Sequence, residues 1–266
     1  MSSIAFPWEE PYLSFQIFGN LYFLGNHGAS AHLVDTGDGL IMFDCGYQQG
    51  LEQTLEHIRC LGFDPMDIKL LMITHGHIDH FGAAKAIRDM TGCKIALGRA
   101  DRDYATGARD LSYAKELGMT FLEYFDPDLL LDDGDRIELG NTEVTAIATP
   151  GHTEGAMTYF FRVSDGAESL RAALHAGVGF NSMREEFLRE YGLPLTLRED
   201  FCRSLSRLSE EPVDIFLGNH MSQNETGRKR RAILSGDLRA FIDADEWKRF
   251  NLQTVEEMKK FMLQDA

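Results

Sequence analysis

The segment Thr74-His75-Gly76-His77-Ile78-Asp79-His80 packs three imidazoles and a carboxylate into six positions. Neutral imidazole and carboxylate are both good ligands for a borderline metal such as zinc. His75 and His77 are two apart, so in an extended segment they point the same way. Asp79 and His80 follow at a different phase and do not easily converge on that ion. Two ions side by side reconcile the spacing, one on His75 and His77, the other on Asp79 and His80. Two more histidines stand just past apolar runs. His152 is at the apex of Thr149-Pro150-Gly151-His152-Thr153, where Pro and Gly fix a tight turn. It supplies a third ligand for the ion of His75 and His77. His220, in Gly218-Asn219-His220-Met221-Ser222, supplies the third for Asp79 and His80.

These ligands need strands that stop together. The run Leu70 to Ile73 is short, continuous and apolar, and reads as a buried strand. Thr142 to Ala148 alternates like a half-buried strand and runs into the turn of His152. Val213 to Leu217 is the short strand before His220. Ligands collect at such strand ends on α/β sheets. Phe81 to Met90 reads as a helix and Cys93 to Leu97 as the next strand, making a βαβ unit.

The remaining pattern is a scaffold for those ends. Ser14 to Leu24 reads as a hairpin, as do Ala31 to Val34 and Leu40 to Phe43 around a Gly/Asp turn. Gln49 to Leu61 and Arg198 to Leu208 have helical spacing. Met157 to Val163 and Leu170 to His175 are further strands. Asp132-Asp133-Gly134-Asp135 reads as a hairpin turn, without the Glu and spacing of an EF-hand. Ala100 to Phe125 reads as helical in pieces, either a solvated face or a pocket wall. Ser235 to Leu263 reads as terminal helix closing one face. Lys229-Arg230-Arg231 reads as a solvated run. His32 and His175 sit within strands and read as structural or supporting residues. Asp44 ends a strand, where it either caps a helix or holds a ligand histidine from behind.

The formal charge of −16 over 266 residues argues against nucleic acid and against a polybasic membrane contact. The 44% apolar content is enough for a full core. The N-terminal stretch Met1 to Glu10 lacks the basic and apolar regions of an export signal. No stretch is long and apolar enough to span a bilayer. Cys45, Cys60, Cys93 and Cys202 have no CxxC spacing and read as reduced core thiols, which points to the cytoplasm.

The order His75-x-His77-x-Asp79-His80, then Pro150-Gly151-His152-Thr153, then His220 after a late strand, resembles the metallo-β-lactamase fold superfamily. The resemblance runs from about Leu21 to about Ser222 and implies an α/β fold, a four-layer αββα sandwich with two metals in a cleft at the sheet ends. On this reading residues 1–266 form one such domain, with a helical C-terminal segment at about 223–266. Most hydrolases of the superfamily carry a metal-bridging Asp after the strand that ends at His175; here Ala176-Gly177 stand there. One β-lactamase subclass has a cysteine there, also absent. The subclass with all-His/Asp ligands is most similar. It implies two zinc ions, one on His75, His77 and His152, the other on Asp79, His80 and His220. That subclass usually has a serine near Gly177 that binds the substrate's carboxylate. In its absence Ser222, Asn219 or Arg184 is expected to anchor the substrate.

The implied chemistry is hydrolysis. Water between two zinc ions loses a proton near neutral pH, and the hydroxide attacks a carbonyl carbon. Asp79 is both ligand and orienter of the nucleophile. The expected substrate is a small molecule, such as a cyclic amide; a lactone, ester or thioester is the alternative. Flavodiiron-type oxidoreductases of the superfamily have a carboxylate where His77 stands, so the sequence speaks against them. A binding protein that merely kept the fold would not need all six positions filled. Oligomeric state is not expressed in the sequence.

Overall fold

The computed structural model describes residues 7–9 and 12–265. Residues 1–6 and Glu10, part of the stretch read for an export signal, lie outside the described residues. Apolar runs with breakers between them make two sheets. Strands β1 (Phe15–Phe18), β2 (Leu21–Phe23), β3 (His32–Asp35), β4 (Leu40–Phe43), β5 (Ile68–Met72), β6 (Lys94–Gly98) and β7 (Leu129–Leu131) form a seven-stranded sheet in chain order. Its first half is antiparallel, and β4 to β7 are parallel. Strands β8 (Arg136–Leu139), β9 (Thr142–Ala148), β10 (Met157–Ser164), β11 (Ser169–Leu174) and β12 (Ile215–Leu217) make the second sheet, in the order β12-β11-β10-β9-β8. Only its β11–β12 junction is parallel.

The helices are α1 (Leu51–Cys60), α2 (Ile78–Phe81), α3 (Ala84–Thr91), α4 (Arg102–Thr106), α5 (Glu185–Glu190), α6 (Leu197–Leu208), α7 (Thr226–Leu234) and α8 (Glu246–Gln264). Alternation along the strands sorts side chains into layers. Ile41 and Phe43 of β4 join Tyr159 and Phe161 of β10 in the core between the sheets. Leu40 and Met42 face outward onto Ile58 of α1 and Ile87 of α3. On the far side, Phe160 and Phe216 meet Phe201 and Leu205 of α6 and Trp247 of α8. Both sheets are therefore covered on both faces at their centres, which explains the continuous apolar runs of β4 and β12; β8 and β9 alternate instead. The layers run α, β, β, α, the sandwich expected from the sequence.

Several expectations need correction. Ser235 to Leu263, read as terminal helix, is helical only from Glu246. Helix begins at Ile78 rather than Phe81, so Asp79 and His80 lie on α2. Gly82 then lets the chain turn close to its neighbours: a Cβ there would lie 2.6 Å from the Ile78 carbonyl oxygen. The Asp132–Asp135 turn joins β7 of one sheet to β8 of the other, so it is a crossover and not a hairpin. Ala100 to Phe125 is helical only to Thr106. Lys229 is buried, not solvated: its ammonium pairs with Glu246 and lies 5.0 Å from the Phe241 ring centre, fastening α7 towards α8. Of the four cysteines read as core thiols, all free, only Cys45 and Cys93 are buried; Cys60 is exposed and Cys202 half-buried.

Candidate metal centre

Three strand ends deliver the six side chains. The loop after β5 carries His75 and His77. His77 is extended (φ −97°, ψ 147°) and precedes α2, so Asp79 and His80 project from a helical turn. The β9–β10 turn carries His152, and the loop after β12 carries His220. One contribution comes from the first sheet and two from the second.

The side chains gather as two triads. His75, His77 and His152 place one potential ligand atom each within 4.8 Å of the others, and so do Asp79, His80 and His220. The rings of His75, His77 and His152 are 4.6 to 4.7 Å apart, centre to centre. In the second triad, His80 Nε2 is 3.2 Å from Asp79 Oδ2 and 3.3 Å from His220 Nε2, while His220 Nε2 is 3.5 Å from Asp79 Oδ2. Ligand bonds of about 2.0–2.2 Å imply tetrahedral edges of about 3.3–3.6 Å, so these separations fit one ion. In the first triad His75 Nε2 is buried without a hydrogen-bond partner. A buried polar atom without a partner is costly, and a cation would satisfy it.

The opposite ring nitrogens are held from behind. His80 Nδ1 is 2.8 Å from Asp44 Oδ2, His152 Nδ1 is 2.8 Å from the Gly179 carbonyl, and His220 Nδ1 meets the Gly28 carbonyl. His75 Nδ1 is 3.0 Å from the Thr74 hydroxyl. Such contacts set tautomer and ring orientation in metal sites. Asp44 also accepts from the Thr74 N–H and hydroxyl, at 2.7 and 2.8 Å. The choice the sequence left open for Asp44 is thereby decided in favour of the ligand histidine. Its backbone is left-handed, with φ 53°.

Burial, reinforced by the neighbouring imidazoles, pushes His75 and His77 well below the ordinary histidine range. Burial also lowers His152 to about 4. These rings are neutral, the form that binds metal. Burial works against the charges on Asp79 and His80, but each offsets that cost for the other, with Asp44 helping. Asp79 is held ionised and His80 is raised to about 10. The carboxylates thus favour positive charge at His80, which a dication would supply in place of a proton.

His77, Asp79, His152 and His220 open onto a cavity of about 370 Å³ lined also by Tyr47, Tyr113, Leu117, Val178, Ser182 and Ser222 among others, with His75 and His80 buried behind them. Of the three residues expected to anchor substrate, Ser222 lines this cavity. Asn219 is fully buried and faces away, its amide oxygen accepting from Gln223 Nε2 at 2.6 Å. Arg184 is not among the lining residues; its guanidinium lies 6.0 Å from the Phe261 ring centre. Tyr113 and Leu117 belong to the polar segment after α4, which therefore supplies a wall. Tyr47 was not picked out from sequence; it follows the strand end at Asp44, which was the available signal. His32 and His175 stay outside the cluster, buried in strand β3 and beside α8.

The family model for the metallo-beta-lactamase superfamily matches residues 24–167, more than half of the chain and both of its first two ligand loops. The chain belongs to the metallo-β-lactamase superfamily. A probable metallo-hydrolase of Burkholderia pseudomallei is 34% identical over 163 residues, 59% of this chain and 50% of that protein. The chain thus matches about half the length of that relative. Among solved structures, the subclass B3 metallo-β-lactamase BJP-1 of Bradyrhizobium japonicum superposes with a TM-score of 0.88 at 27% identity, covering 97% of each chain. The class B3 di-zinc metallo-β-lactamase LRA-12 from an Alaskan soil metagenome gives 0.83 at 26% identity over 98% of this chain and 97% of that one. Membership, together with these metallo-hydrolase and β-lactamase relatives, places the chain among metal-dependent hydrolases, with a fold like that of subclass B3. Among the described residues, no helix is long and apolar enough to cross a membrane.

Proposed function

We propose that the chain is a dinuclear zinc hydrolase that cleaves a carbonyl bond in a small molecule. His75, His77 and His152 hold one ion, and Asp79, His80 and His220 hold the other. The convergence of two complete triads in one cleft carries this reading, and the likeness to LRA-12, a di-zinc enzyme, supports it. Bound there, zinc would supply Lewis acidity and acidify water towards neutrality.

The chain's own residues supply position and charge. Asp79, kept ionised by His80 and His220, lies at the cavity wall, where its carboxylate can accept a hydrogen bond from the attacking water and orient it. Tyr47, Tyr113, Leu117 and Val178 give the cavity apolar walls that limit water around the reacting carbonyl. The hydroxyl of Ser222 and the amide of Asn181 line the cavity and offer neutral hydrogen bonds to the substrate, while Ser182 and Gln223 are engaged by His152 and Asn219. A volume of about 370 Å³ suits a small cyclic amide, as in the β-lactamase relatives, or a lactone, ester or thioester of metabolism. The chain acts as one domain, its C-terminal helices packed on the second sheet, and its free thiols suit a reducing compartment such as the cytoplasm.

The test is a zinc-loaded preparation assayed with a chromogenic β-lactam beside a lactone and a thioester. Turnover of at least one, with two zinc ions per chain, is expected. A protein that binds two zinc ions and turns over no carbonyl substrate would rule this function out. Iron with a visible charge-transfer band would favour the oxidoreductase chemistry of other superfamily members.

A further inference from the structure

Asp101 lies just after β6 and its residue is fully buried. Among the described residues no cationic side chain bonds its carboxylate, whose partners all belong to the two histidine-bearing loops. Oδ2 accepts from the Gly76 N–H at 2.7 Å and from the Thr153 hydroxyl at 2.6 Å. Oδ1 accepts from the Gly155 N–H at 2.6 Å. Gly76 stands between His75 and His77, and Thr153 follows His152. One carboxylate therefore grips a loop from each sheet, at the residues next to three imidazoles.

The surrounding sequence makes room for this grip. A Cβ on Gly155 would lie 2.4 Å from the Asp101 nitrogen, and a Cβ on Gly98 would lie 1.9 Å from the Gly155 carbonyl oxygen. A Cβ on Gly76 would lie 2.8 Å from Tyr104 Cβ. Glycine at all three positions lets the loops close onto the carboxylate. Burial is the main influence on its acidity and raises it to about 6, against the three hydrogen bonds that favour the charged form. A carboxylate kept in so unfavourable a place, bonded only to these loops, is explained by what it holds.

We propose that Asp101 is a positioning residue that sets the spacing of His75 and His77 against His152, and so the metal affinity of that triad alone. The inference rests on the reading of the three histidines as metal ligands. In the other triad His80 is held by Asp44 and His220 by Gly28 instead, so its ion should not respond to Asp101.

Cobalt binding, followed by its visible spectrum and by competition with a chromophoric chelator, tests this on the full chain. His220→Ala leaves the three-histidine triad as the intact one; His152→Ala leaves the other. Asp101→Asn, which keeps shape but turns one acceptor into a donor, should weaken cobalt binding about 10–100-fold in the His220→Ala background. It should change binding less than about two-fold in the His152→Ala background, where a general loosening of the fold would also register. If Asp101→Asn does not fold, Thr153→Val removes one of the three bonds, and Thr153→Ser should restore binding. Equal losses in both backgrounds, or no loss in either, overturns the positioning role. Failure of the His220→Ala parent to bind cobalt at all overturns the ligand reading beneath it, and the two failures are distinct.

Discussion

The ring of His152 occupies the space that a side chain on Gly177 would need. A Cβ at Gly177 would lie 1.8 Å from His152 Cδ2, far inside van der Waals contact. Gly179, two residues on, supplies the carbonyl that holds His152 Nδ1. The strand end that offers a serine in the most similar subclass is here a seat for the imidazole.

Gly177→Ser should therefore fail as a way to restore a carboxylate anchor. The new side chain must push His152 aside and pull it off the Gly179 carbonyl. The expected result is a loss of zinc affinity of about 10–100-fold at the three-histidine triad, the range seen when a ligand's orienting partner is lost. Zinc titration against a chelator measures it, and retention of full affinity would mean that His152 can bind metal from another seat.

Asp44→Asn probes the second triad. Asparagine tolerates the left-handed backbone at this position better than most residues. Its amide offers one acceptor where the carboxylate serves Thr74 twice and His80 once. One of those donors is left facing an NH₂ group. Zinc affinity at Asp79, His80 and His220 should fall about 10–100-fold, and because the Thr74 hydroxyl that Asp44 holds also meets His75 Nδ1, the first triad should weaken as well, by less. An unchanged second site would show that His80 needs no carboxylate behind it.

Asp79→Ala removes a ligand and the only carboxylate of the six side chains. Its side chain is near the cavity rather than in a core cluster, so the fold should survive, with an unaltered circular dichroism spectrum. Turnover should drop by orders of magnitude. Wild-type turnover in the metal-loaded variant would refute the assigned role.

The convergence of the six side chains could be read from the chain because each sits next to a strong local signal. Apolar runs mark the strands, and Pro or Gly marks where they stop, so His75, His152 and His220 announce themselves as strand-end residues. Asp44 was ambiguous, since a helix cap and a carboxylate behind a histidine look alike in one dimension. Asp101 gave no signal of its function. Two of its three partners are backbone N–H groups, 25 and 54 residues away, which carry no side-chain signature. Asn219 and Arg184 fail for another reason: being near a ligand in sequence does not decide which way a side chain points. Lys229 looked solvated within a basic triplet, but the acid that receives it, Glu246, lies on the next helix.

The last prediction concerns stability rather than catalysis. His175 directly follows the second sheet's β11 and is 1% exposed, packed beside Trp247 and Phe250. Its Nδ1 is 2.7 Å from the Ala176 carbonyl and its Nε2 is 3.1 Å from Asn251 Oδ1. Burial dominates and lowers its pKa to about 4, in spite of these two acceptors. An unfolded histidine titrates near about 6.5. Above that pH both states are neutral at this residue, and it contributes no pH dependence. As pH falls from about 6.5 towards 4, the unfolded chain takes up a proton that the folded chain refuses, so stability must decrease. By about pH 5 the loss from this one residue should reach about 2 kcal/mol. Urea unfolding of the wild type and of His175→Gln, both metal-free, isolates it as the difference between their pH slopes. The variant should be less stable near neutrality and should close about 2 kcal/mol of that gap by about pH 5. Parallel slopes would mean that His175 takes its proton within the folded chain, bonded at both ring nitrogens.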